Sequence, residues 1–334
     1  MNEILPLKNK ALRNLNILRY KNLQSPAEEA HLDFQRRQAD SQDPVLQKAW
    51  FHSMNNAFEE IDDVLKVVPQ TSRIHFLDLG CCPGGFTSYI LSKNSKAYGT
   101  GISLPVENGG HACLLNEDHL KRFKLYWADL TRFQLGAVLI NDPSLQSLPI
   151  VPQSFDLVLI DGHPLRPSTN GSHHHLPASF YLLSDRLLIS QLIIGLAAAA
   201  SGSTIIVKAS KPERIITSQL MFLFDLLCVD VRTWKPVCIH GTRSTFYIVG
   251  KGFGYGRFAY RKEQILADLM DLWVQLSYYG GKGRRLFPDD LDFIADRAVL
   301  KGPYAPRLQQ LSQHIWTAQS QCLEGWQNAK AEGF

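Results

Sequence analysis

The sequence predicts an α/β protein built on a parallel, doubly wound sheet with helices on both faces, and three observations predict it. The chain is long enough, at 334 residues with 45% apolar content, to bury a substantial core. From residue 73 onward, short apolar runs alternate with amphipathic segments, the pattern of strands joined by crossover helices. The first of these runs, in "HFLDLGCCPGGFTSYIL" at 75 to 91, breaks at a Gly-rich turn and resumes as a helix. Open α/β sheets make room for ligands at such strand ends.

The elements follow in order. Residues 1 to 25 carry Lys8, Lys10, Arg13, Arg19 and Lys21 against the single acid Glu3, with Leu5, Leu12, Leu15 and Leu18 at helical spacing. This is a basic amphipathic helix leading into the domain, or a mitochondrial presequence. Residues 28 to 66 read as helical, because Trp50, Phe51, Met54, Phe58, Ile61 and Leu65 recur at three- and four-residue steps. Strands are expected at "RIHFLDLG", "KAYGTGISL", "KLYWADL", "FDLVLIDG", "STIIVKAS" and "STFYIVGKGF", with helices after the Gly-rich turn, through residue 200 and in "IITSQLMFLFDLLC". The expected division is a helical lead-in over 1–70, a Rossmann-like core over 71–254 and a helical C-terminal extension over 255–334.

Composition narrows the partners and the compartment. A net charge of +4 permits a nucleic-acid partner without demanding one. The six cysteines contain no C-x-x-C pair, which suits a reducing compartment. Cytoplasm or nucleus is expected, with the mitochondrion as the alternative if the basic N-terminus is a presequence. The longest apolar run, 187 to 200, has only 14 residues and reads as a core helix, so no membrane span is expected. A breaker-rich loop at 162 to 179 follows a strand end and carries His173, His174 and His175. Consecutive histidines in extended chain point in alternating directions, so a mobile lid over the crevice is expected there, and no metal.

The turn itself is the most informative stretch. Gly84 and Gly85 are expected to let the backbone approach a ligand, Pro83 to open the next helix, and Asp78 to meet a cationic or hydroxyl group of that ligand. The spacing of Asp78, Gly80, Pro83, Gly84, Gly85 and Phe86 is D-x-G-x-x-P-G-G-F, which is not the dinucleotide fingerprint. Together with "KAWF", "FDLVLIDGHP", "GSTIIVK" and "KPVCIHGTRSTFYIVG", in that order over roughly 48 to 252, it resembles the FtsJ (RrmJ) type of S-adenosylmethionine-dependent methyltransferase. That resemblance implies S-adenosylmethionine as cofactor, held by the 78 to 86 turn, with Asp129 of "YWADL" at the adenine amine and Asp161 beside it. It also implies methylation of ribose 2′-hydroxyls in RNA, ribosomal RNA processing included. The acid that would hold the cofactor ribose after the second strand is missing before Glu107.

Methyl transfer to a hydroxyl requires alignment of the oxygen and help in removing its proton. The family uses a Lys-Asp-Lys-Glu set for this, and two members match here: Asp161 ends "FDLVLID" and Lys208 ends "STIIVK". His52 stands in the place of the first lysine, with Lys48 one helical turn away, and Thr245 stands in the place of the glutamate. These two departures leave open a catalytically impaired binding or scaffold protein, or a methyltransferase for a non-RNA acceptor. For RNA contact the candidates are residues 251 to 262 and 280 to 287, which interleave cations with aromatics or glycines.

Overall fold

In the computed structural model, which describes residues 9–23, 30, 34, 36, 39–166 and 176–331, the apolar runs form a single mixed sheet. Its strands are β1 (His75–Leu79), β2 (Tyr98–Ser103), β3 (Phe123–Trp127), β4 (Phe155–Ile160), β5 (Ala199–Ser210), β6 (Asp230–Trp234) and β7 (Thr245–Lys251). They lie in the order β3-β2-β1-β4-β5-β7-β6. The first five are parallel, and β7 runs antiparallel between β5 and β6. The expected α/β doubly wound architecture therefore stands, with two differences. The reversed β7 brings its amino end, and so Thr245, to the carboxyl end of β5. The strand β6 was not expected from the sequence, because "DVRTW" is short and half polar, with Val231 and Thr233 buried and Arg232 exposed.

Both faces of the sheet are buried, which is why its strands are so uniformly apolar. Alternate residues serve alternate faces. Leu77, Leu79, Val158, Ile160, Ile205, Val207 and Ile248 belong to one apolar cluster, whereas Phe76, Leu157, Leu159, Ile206, Tyr247 and Val249 belong to the other. The second face is covered by α2 (Pro44–Leu65) and α3 (Gly85–Lys93), the label α1 being given to Lys10–Leu23. Helix α2 starts cleanly because Pro44 follows Asp43, whose carboxylate accepts from the amides of Val45 and Leu46.

The first face is covered by α4 (Ala178–Ala198), α5 (Ile215–Leu227), α6 (Lys262–Tyr278) and α7 (Ala305–Ala331). Helix α4 contains the long apolar run and is apolar and long enough to cross a membrane by length and composition. Here Ile189, Leu192, Ile194 and Leu196 are buried within the first cluster. Leu12, Leu15 and Leu18 of α1 are buried in the same cluster as Leu308, Ile315 and Trp316 of α7. Glu213, just before α5, ties these ends together by accepting from Arg19 at 2.6 Å and from the Trp316 indole at 3.0 Å. Leu12, Leu15 and Leu18 of the leucine stripe read near the N-terminus are thus part of the packed core, and Leu5 lies outside the described residues.

Candidate active site

The carboxyl ends of β1, β4 and β5 converge with the reversed β7 on one set of polar side chains. Asp161, the residue after β4, lies 3.2 Å from the Lys208 ammonium, which also donates to the Asp161 carbonyl at 2.6 Å. The Tyr247 hydroxyl donates to Asp161 Oδ1 at 3.0 Å. Register places Tyr247 there, since it pairs with Lys208 across β5 and β7. Burial pushes the Tyr247 phenol well above its ordinary value, and the Asp161 carboxylate adds to the shift, so the hydroxyl stays a donor. Asp78 is buried and accepts from Thr87 Oγ1 of α3 at 2.7 Å. Burial drives its carboxyl up to about 7, against the opposing effect of the Thr87 bond.

Lys208 has a third neighbour, His163 Nδ1 at 3.3 Å. Behind His163 stands Asp40, with its Oδ1 at 3.7 Å from Nε2, and Asp40 in turn accepts from Arg166 at 2.7 Å. The Lys208 charge, then burial, hold the His163 imidazole below its ordinary value, while Asp40 pulls in the other direction. Burial alone would raise the Asp40 carboxyl, but His163 and Arg166 outweigh it and bring it below the usual value.

Two clefts flank this cluster. One, of about 730 Å³, opens over the ends of β1, β2 and β3 and is lined by Gly80, Ser103, Gly109, Gly110, Asp129 and Gly162, with Leu104, Leu130, Leu165 and Phe180 as apolar walls. The other, of about 660 Å³, lies at the carboxyl ends of β4 and β5 and is lined by Lys208, Ser210, Arg214, Thr245 and Arg285. Gly162, His163 and Pro164 border both. Gln191 of α4 fixes this divider: its side chain accepts from the Gly162 amide at 2.8 Å and donates to the Gly162 carbonyl at 3.0 Å.

The predicted residues fall into three groups. Asp161 and Lys208 are brought together, and Thr245 lines the second cleft with Lys208, its carbonyl accepting from the buried Lys235 at 3.0 Å. Gly80 and Asp129 line the first cleft, and Asp129 also caps the turn Leu130–Arg132, accepting from the Thr131 amide and hydroxyl at 2.8 Å each. Ser103 is the polar side chain that β2 ends on. The remaining turn residues meet other parts of the chain. A Cβ on Gly84 would meet Leu115 at 3.0 Å, and one on Gly85 would meet the Phe51 carbonyl at 2.5 Å. Their missing side chains therefore admit α2 and Leu115. Gly80, at φ +81, is the glycine on the cleft, where a Cβ would strike Gly162 Cα at 2.4 Å. Phe86 packs on Phe58 and Tyr247 in the core, and Pro83 precedes the helix, which begins at Gly85 after the cap Gly84.

His52 is not at the site. Trp50 and Met54 point inward from α2, so His52, about 200° around the helix from Trp50, is exposed. Lys48 is exposed as well. His173, His174 and His175 lie outside the described residues, although the flanking residues 162–166 and 177 line the first cleft. Among the described residues no group of three or more His, Cys, Asp or Glu is arranged to hold a metal. Sequence reasoning missed Tyr247, His163, Asp40 and Gln191. Tyr247 and Gln191 carried a signal, as polar groups inside apolar runs that must find partners.

A seven-stranded sheet of this order, with a cofactor-sized cleft over the turn after β1, defines a Rossmann-like methyltransferase fold. The model of the FtsJ-like methyltransferase family matches residues 57–253, and the chain belongs to that family. No curated protein matches it. Among solved structures it is similar to a candidate ribosomal RNA methyltransferase from Plasmodium falciparum, at 19% identity and a TM-score of 0.39 over 61% of this chain and 97% of that one. It is also similar to a phosphoethanolamine N-methyltransferase from Haemonchus contortus, bound to phosphoethanolamine and S-adenosylhomocysteine, at 11% identity and a TM-score of 0.40 over 85% and 55%. The pyocyanin biosynthetic protein PhzM is similar at 16% identity and a TM-score of 0.39 over 73% and 74%.

Proposed function

We propose that the protein is an S-adenosylmethionine-dependent methyltransferase acting on ribose 2′-hydroxyls of RNA. The observation that carries this reading is the Lys208–Asp161 ion pair, 3.2 Å long, beside the loop that divides the two clefts. The first cleft fits the cofactor: its volume of about 730 Å³ is within the range of small-molecule sites, its walls are apolar, and Asp129 and Ser103 supply an acceptor and a hydroxyl. When bound, the cofactor supplies a methyl group on a sulfonium, which leaves as a neutral thioether.

The chain's own residues do the rest. Lys208 receives the proton of the acceptor hydroxyl, and Asp161 holds the resulting ammonium in place through its carboxylate and carbonyl. Tyr247 fixes the Asp161 carboxylate, which leaves Thr245 with no charge to supply. RNA is favoured over a small acceptor by the open second cleft, where Lys208, Arg214 and Arg285 supply cations for phosphate contact. Arg285 belongs to the 280–287 segment named as an RNA candidate, with Phe287 exposed beside it. The other candidate, 251–262, begins at the carboxyl end of the antiparallel β7 and so lies at the opposite end of the sheet.

The test is a calorimetric titration with S-adenosylmethionine followed by transfer of a tritiated methyl group to total RNA and nucleoside analysis. Binding and label in 2′-O-methyl nucleosides are expected. Binding without labelled RNA removes the RNA reading, and absence of binding removes the enzyme reading.

A further inference from the structure

The divider between the two clefts carries one side chain whose chemistry the methyl transfer has not used. His163 lines the cofactor cleft, the acceptor cleft and the small space under the glycine turn beside Asp78 and Asp161. Its Nδ1 faces the Lys208 ammonium at 3.3 Å, a group that has only protons to offer, so Nδ1 is the acceptor and the neutral ring carries its proton on Nε2. That Nε2 is buried without a hydrogen-bond partner, and the unpartnered atom opposite it is Asp40 Oδ1 at 3.7 Å. An acid, an imidazole and an amine thus stand in line, ending at the position where the acceptor hydroxyl loses its proton.

We propose that His163, backed by Asp40, is the positioning residue of the reaction and takes up the proton of Lys208 in a relay that leaves the amine free for the acceptor hydroxyl. This rests on the methyltransferase reading above. A Lys208 held as an ammonium by Asp161 cannot accept a proton from a hydroxyl; it must first give one up. In the relay one N–H bond of Lys208 breaks and one forms at His163 Nδ1. The free amine then takes the hydroxyl proton as the methyl–oxygen bond forms, and the imidazolium faces the Asp40 carboxylate. After the transfer Lys208, whose side chain is 20% exposed and lines the acceptor cleft, loses its extra proton to water there, and the Nδ1 proton returns to Lys208, which restores the neutral Nε2–H ring. The role of the lost first lysine and glutamate passes in this way to residues on different elements.

The charges around the imidazole set its pH dependence. Lys208 from β5 opposes protonation, Asp161 and Asp40 favour it, Arg166 from its own loop pairs with Asp40, and the buried His240, held well below its ordinary value first by burial and then by Lys208, has its ring 6.1 Å from that of Tyr247. The relay needs a neutral ring at the start. Because Lys208 and burial hold the ring below its ordinary value of 6.5, transfer is complete at neutral pH and falls only as pH drops through that lowered value.

Two measurements test this independently. Nitrogen-15 NMR of the imidazole in the full chain should show the Nε2–H tautomer at neutral pH, with the His163 titration moving up in Lys208→Met and down in Asp40→Asn. An Nδ1–H tautomer, or a titration that ignores Lys208→Met, overturns the relay whatever the enzyme's substrate. In transfer assays His163→Ala and His163→Asn should each lower kcat by about 100-fold and abolish the acid limb, since asparagine can accept from Lys208 but cannot carry its proton. Wild-type activity in His163→Asn means that His163 only orients Lys208, and overturns the relay while leaving the methyltransferase reading intact. A wild-type protein that binds cofactor but transfers no methyl group at any pH overturns the function and the relay together.

Discussion

The two clefts on either side of residues 162–164 are built from different materials. The cleft proposed for the cofactor exposes four glycines, Gly80, Gly109, Gly110 and Gly162, between apolar walls, and its charged side chains are Asp129 and the paired Asp40 and Arg166. The cleft proposed for the acceptor has one glycine, Gly162, and carries Lys208, Arg214 and the Asp185-paired Arg285 around Thr245. A nucleoside cofactor of constant shape calls for a constant cradle, whereas an anionic polymer calls for cations that can be placed from many elements. The difference also separates what can be lost: the acceptor side departs from the family's Lys-Asp-Lys-Glu set at two positions, while the strand-turn-helix of the cofactor side keeps its spacing.

The comparison can be broken most sharply at Lys208. In Lys208→Met, kcat should fall by about 100-fold or more while cofactor affinity stays within roughly threefold, because the side chain borders only the acceptor cleft. A calorimetric affinity that collapses with the activity would mean that the clefts are one site. A smaller effect separates the glycines of the turn. Gly80→Ala, at φ +81 with its Cβ against Gly162, should cost about 2–3 kcal/mol in thermal unfolding and weaken the cofactor. Gly85→Ala should cost about 1–3 kcal/mol through the clash with α2, with cofactor affinity in the folded variant unchanged. Equal loss of cofactor binding in both would restore Gly85 to the ligand's surroundings. The smallest effect belongs to His52→Ala, which should leave kcat within about twofold because the ring is on the solvent face of α2. A large loss there would place an acceptor contact on that face.

Asp161 and Lys208 were legible because each is a polar residue closing an apolar strand, a local pattern that puts both at the same edge of a parallel sheet. His52 was misplaced because alignment of "KAWFHSM" supplies a position in sequence but not an angle around a helix. Trp50 and Met54 take the buried face, and two residues beyond Trp50 is the far side. The glycines were recognised as necessary, but the neighbour that each admits is distant in the chain: Phe51 of α2 for Gly85, Leu115 after β2 for Gly84 and Gly162 after β4 for Gly80.

By itself the sequence determined every strand but β6, the crossover helices, the turn after β1 and the pair at the ends of β4 and β5, since hydrophobic periodicity and turn chemistry act between residues a few positions apart. Only the tertiary structure decided that β7 runs backward beside β5, which aims the Tyr247 hydroxyl at Asp161, and that Asp40 and His163 meet behind Lys208. Those contacts join residues far apart in the chain through strand register and loop packing, and no local pattern encodes which distant partner a buried polar group will find.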